Sequence, residues 1–85
     1  MDAGGEGVIF DDPIVRGRKS PGYRAMLDQL GRLKRGERLI YHREPADDRP
    51  LAHFAAVHDA AIQGIVTPHV RRNSAGQIEH LVERR

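Results

Sequence analysis

Apolar side chains recur at steps of three and four through Tyr23, Met26, Leu27, Leu30 and Leu33. That spacing gathers them on one face and predicts a helix, with Arg24, Asp28, Arg32 and Arg35 along the opposite stripe. Ser20-Pro21 before it reads as a helix start, since the hydroxyl accepts an orphan N–H and proline at the first helical position has none to lose. Gly36 supplies a left-handed residue to end the helix, and Gly31 weakens it by about 1 kcal/mol relative to alanine. Residues 38–43, Arg-Leu-Ile-Tyr-His-Arg, are rich in strand formers and predict a first strand. A polar turn over 44–48 ends in Asp48, placed to cap a second helix over about 49–63. In that helix Leu51, Phe54, Ala55, His58, Ala61 and Ile62 keep the helical step and predict the buried side, leaving Ala52, Ala56, Asp59 and Ala60 facing outward.

The chain closes on two further strands, 65–72 and 77–83. A Ser74-Ala75-Gly76 loop joins them, with Gly76 left-handed and Asn73 opposite Gln77. This register places Val66, Pro68 and Val70 on one face with Ile78, His80 and Val82, and Arg71, Glu79 and Glu83 on the other. Pro68 cannot donate to a ladder, so its strand is expected at an edge. The first strand is expected to pair with the last. The expected fold is α+β: two helices packed on a small three-stranded antiparallel sheet, in the order α-β-α-β-β. Residues 1–19 show no period of this kind and read as a flexible N-terminal arm, leaving 20–85 as the single domain.

Eighty-five residues are enough for one domain with a modest core, so a partner or a second copy is a natural way to complete the burial. The absence of cysteine suits a reducing compartment and predicts a cytoplasmic location. No apolar run approaches the ~18 residues of a membrane span, and residues 1–7 lack the basic and apolar regions of a signal peptide.

The net charge of +2 is unevenly spread: residues 1–15 sum to −4, 16–38 to +6, 39–64 to −2 and 65–85 to +2. Basic charge is thus concentrated before and along the first predicted helix, where a polyanion would dock. The residues expected to contact nucleic-acid phosphates are Arg16, Arg18, Lys19, Arg24, Arg32 and Arg35. Arg71 and Arg72 beside the hairpin tip form a second contact.

The five histidines give no metal pattern. His53 and His58 are five apart and diverge by about 140° on a helix, so no metal ligands are assigned. His42, His58, His69 and His80 read as structural residues of a core face or a sheet face. Ser20 and Ser74 suit a cap and a turn, and Gly4-Gly5-Glu6-Gly7 lacks the strand and helix that a phosphate loop requires. No catalytic residue and no cofactor is assigned, and the chain reads as a binding module rather than an enzyme.

The order helix, strand, helix, hairpin with a tip loop resembles a winged-helix domain, which implies DNA binding. The place of the winged helix's additional helix is held here by residues 44–48. The second predicted helix carries no Lys or Arg after Arg49, so base reading by that helix is not expected. A second resemblance spans residues 27–85. Leu30, Leu33, Gly36, Leu39-Ile40-Tyr41-His42, Asp48-Arg49, Gly64, Arg71-Arg72 and Gly76 are spaced as in small uncharacterised phage and prophage proteins. That resemblance implies a mobile-element origin and an accessory or regulatory role.

Two functions are therefore expected of different kinds. One is a small DNA-associated accessory or regulatory protein held by phosphate contacts. The other is a protein-binding modulator, such as an antiactivator or an inhibitor of a host protein, using Ala52, Ala56, Asp59 and Ala60 together with the edge strand. A homodimer on that same helix face is compatible with either.

Overall fold

The computed structural model describes residues 12–45 and 50–85. The domain is α+β, in the order α1 (Pro13–Arg18), α2 (Tyr23–Arg32), β1 (Arg38–Glu44), α3 (Leu51–Ile62), β2 (Val66–Arg72) and β3 (Ile78–Arg84). The strands form one antiparallel sheet with β3 in the centre, in the order β1-β3-β2. Among the described residues no helix is long and apolar enough to cross a membrane.

Helix α1 corrects the expected arm. Asp12 caps it, its Oδ1 accepting from the Ile14 N–H at 2.9 Å, and Pro13 occupies the first turn. Six residues do not hold a helix unaided. What holds this one is α3: Gly17 is buried against it so closely that a Cβ there would lie 2.3 Å from the Leu51 carbonyl oxygen and 2.6 Å from Ala55 Cβ. The rest of the expected arm, residues 1–11, lies outside the described residues.

Ser20 is likewise not the cap of α2. Its hydroxyl donates back to the Arg16 carbonyl at 2.8 Å, closing α1, while Gly22 at φ 94° turns the chain into α2. The expected apolar stripe holds: Met26 and Leu30 are buried, and Tyr23, Leu27 and Leu33 pack around them. The helix ends at Arg32, before Gly36, because Leu33 is already extended. Gly36 instead directs the chain into the sheet, its N–H donating to the Arg84 carbonyl at 2.8 Å.

The described residues thus form three helices rather than two, and the additional one precedes β1. Helix α3 packs against both α1 and α2 on one face of the sheet, and its inward side is only partly the one expected: Ala55 is buried and Leu51, Phe54 and Ala61 half-buried as expected, but the buried side extends to residues expected outward. Ala52, Ala55, Ala56, Val57 and Ala60 are buried, whereas His58 and Ile62 are exposed, Ile62 to 72%. This overturns Ala52, Ala56 and Ala60 as a free interface. Their small side chains let other helices of the same chain approach. The core runs through Met26, Leu30, Ala56, Val57 and Ala60 onto Val66 and Val82 of the sheet.

The hairpin follows the expected register, with Arg71 opposite Glu79 and the Asn73 N–H donating to the Gln77 carbonyl at 2.9 Å. Strand β1 pairs with β3 as expected, and a bulge lies between Ile40 and His42. Tyr41 and His42 both meet the Phe54 ring, at 5.2 and 5.5 Å between centroids.

Candidate functional site

Three polar clusters organise the charged and hydrogen-bonding side chains of the domain. The first ties the helices together. Asp59 is the single charged residue of α3, and both its oxygens receive Arg18: Nε donates to Oδ2 at 2.8 Å and Nη2 to Oδ1 at 2.7 Å. The Tyr23 hydroxyl donates to Oδ2 at 2.5 Å, and His58 Nδ1 lies 3.2 Å from Oδ1. A two-pronged arginine with a phenol holds the Asp59 carboxyl well below the usual carboxylate range, and Asp59 in turn raises the Tyr23 phenol.

The second cluster lies on the sheet face away from the helices. Glu79 on the central strand is almost fully buried, at 5% exposure. Its carboxylate accepts from Arg71 Nε at 2.7 Å, Asn73 Nδ2 at 3.1 Å and Arg43 Nε at 3.0 Å. These donors, Arg71 foremost, lower its pKa to about 2. Asn73 also shapes the turn, its side-chain oxygen accepting from the Ala75 and Gln77 N–H groups. On the same face Arg38 pairs with Glu83 at 2.9 Å.

The third cluster lies at the same end of the sheet on the opposite face, toward the helices. His80 Nε2 lies 2.6 Å from Glu44 Oε2, and His42 Nε2 lies 3.9 Å from that oxygen. The His42 and His80 rings are tilted 5.5 Å apart, and Phe54 stands edge-on to His80 at 5.3 Å. A histidine–carboxylate pair is able to relay a proton, yet the described residues enclose no pocket for a substrate beside it. Nor, among the described residues, do any three His, Asp or Glu side chains have an arrangement that would hold a metal ion.

No protein-family model matches the chain, and neither do curated proteins or solved structures. What bears on function is the geometry of these clusters and of the charges around them.

That geometry divides the expected phosphate contacts into two groups. Arg18 and Arg71, each with about half of its side chain exposed, are held by Asp59 and Glu79, which corrects them from free phosphate ligands to partners of carboxylates. Asp59, expected at a protein interface, is the hub of the helix cluster and is corrected in the same way. Lys19, Arg24, Arg32 and Arg35 are exposed along α2 and its flanking turns, as is Lys34, which the charge pattern did not single out. Arg16 is exposed on α1, and Arg72 is exposed near the hairpin tip.

The Arg18–Asp59 pair was hidden by a separation of 41 residues. Its one sequence signal is a lone carboxylate in an otherwise uncharged helix, which needs a partner once buried. The Arg71–Glu79 pair follows from the hairpin register, but adding Arg43 requires the bulge, which the sequence does not announce.

Proposed function

We propose that this chain is a small DNA-associated accessory or regulatory protein that grips the phosphate backbone through Lys19, Arg24, Arg32, Lys34 and Arg35. The observation that carries the reading is that all five are exposed and none enters an ion pair among the described residues. Within 19–35 the sole acid is Asp28. Elsewhere Arg18, Arg38, Arg43 and Arg71 are occupied by carboxylates, so the uncommitted charge is biased toward α2 and its turns.

Contacts of this kind position a protein on a duplex without reading sequence, so affinity is largely non-specific and strongly salt-dependent. A cytoplasmic location and an origin in a phage or another mobile element belong to the same proposal, the latter resting on the resemblance over residues 27–85. Fluorescence anisotropy with a labelled duplex tests it. Each contacting cation contributes about 0.9 to the slope of log K against log salt. Lys19→Ala with Arg32→Ala flattens that slope by about 1.8, while Arg71→Ala leaves it unchanged. Absence of binding at about 50 mM salt overturns the reading. So does an Arg71→Ala effect equal to that of the double variant.

A further inference from the structure

We infer that the free edge of β2 is a docking site for an extended acidic segment of a partner protein. The inference uses a surface separate from the cations of α2 and stands independently of the phosphate reading. The phase of the hairpin ladder is fixed at both ends, by the Asn73 N–H on the Gln77 carbonyl at 2.9 Å and the Arg85 N–H on the Ile65 carbonyl at 3.0 Å. Hydrogen-bonded pairs alternate along an antiparallel ladder. Thr67, His69 and Arg71 therefore direct their backbone groups at β3, and Pro68, Val70 and Arg72 direct theirs outward.

Pro68 thus sits where its missing N–H costs the ladder nothing. The open edge presents the N–H groups of Val70 and Arg72 and the carbonyls of Pro68, Val70 and Arg72. Residues 67–72 are all exposed, and Val70 is 64% exposed although it shares the helix-side face with the buried Val82. The helices leave this strip of sheet uncovered.

Charge selects the occupant. Residues 64–72 contain no acid; Arg71 and Arg72 stand at one end of the edge, and at the other Arg84 pairs with Val66 and is followed by Arg85. The edge is apolar in the middle and basic at both ends. Two copies paired edge to edge would bring their arginines together with no added carboxylate. An extended segment with an apolar centre and acidic flanks supplies a strand partner, a side chain for Val70 and carboxylates for Arg72 and Arg85.

The test is a nitrogen-15 NMR titration of the full chain with a short peptide, a Val-Thr-Val centre flanked on each side by Glu and Asp. A control peptide carries Lys in place of every acid. The acidic peptide is expected to give saturable shifts centred on the Val70 and Arg72 amides, and the control none. Val70→Pro removes an outward N–H without touching the ladder and weakens binding up to about tenfold, the worth of one hydrogen bond at the upper end of its usual range. Should that variant fold poorly, Arg72→Glu answers the same question by weakening the acidic peptide and admitting the Lys peptide. The inference is overturned by absence of saturable shifts, by shifts elsewhere, or by equal binding of the two peptides. Concentration-dependent shifts of these amides without peptide would assign the edge to a second copy, and shifts with duplex DNA would assign it to nucleic acid. Either result also overturns the inference.

Discussion

Replacing Gly17 by alanine sets two effects of known size against each other. Alanine is favoured over glycine in a helix by about 1 kcal/mol, so propensity alone predicts a more stable protein. Against this, the new Cβ would lie 2.3 Å from the Leu51 carbonyl oxygen, 2.6 Å from Ala55 Cβ and 2.9 Å from the Leu51 carbonyl carbon. The obstacles are the backbone of the first turn of α3 and a methyl with no rotamer to change, so α1 itself must lift away. Overpacking of this kind costs about 1–3 kcal/mol, and contacts this short belong at the upper end. The expected net loss is about 1–2 kcal/mol, a fall in melting temperature of about 5–15 °C for a domain of this size. Gly31→Ala is the control, because nothing lies within 4 Å of the added methyl, and it should raise the melting temperature by about 4–8 °C. Thermal and urea unfolding followed by circular dichroism read both variants. A rise for Gly17→Ala to match Gly31→Ala would refute the packing of α1 on α3.

Glu79 gives a pH dependence of definite sign: its folded pKa lies at about 2 against an ordinary 4.5, so its stabilisation is present above about pH 4.5 and is lost as pH falls toward 2. Melting temperatures measured down a pH series should drop in that window, and Glu79→Gln should lessen the drop; an unchanged profile in the variant would contradict the assignment. Ala56→Arg should unfold the domain, a loss of more than about 4 kcal/mol, because Ala56 is fully buried and a guanidinium there has neither room nor partner. A folded Ala56→Arg variant by circular dichroism would mean that this side of α3 is free after all.

The parts of the fold legible in the sequence are those set by neighbours along the chain. The Asn73 turn, the alternation of β2 and β3 and the Met26–Leu30 stripe each depend on a few consecutive residues, and each is found where the pattern puts it. Helix α1 was missed because its stability resides in α3, more than thirty residues away, and its glycine reads as flexibility until the close approach is seen. The inward side of α3 was only partly anticipated because Leu51, Ala52, Phe54, Ala55, Ala56, Val57, Ala60, Ala61 and Ile62 leave it apolar nearly all round. Periodicity then does not choose a face. Shape does, by admitting α1 and α2 against the alanines and turning Ile62 outward. The basic stretch was visible as composition, but which of its arginines are free depended on the distant carboxylates of Asp59 and Glu83, which hold Arg18 and Arg38.

In the proposed function the exposed cations of α2 and its turns meet phosphate while the carboxylate-held arginines do not. Titration of the nitrogen-15-labelled chain with duplex DNA at about 50 mM salt tests it most directly, with the same titration repeated at high salt. Shifts are expected at the amides of Lys19, Arg24, Arg32, Lys34 and Arg35 that vanish at high salt, with those of residues 67–72 unmoved. A spectrum unchanged by DNA, or shifts confined to the hairpin, would contradict it.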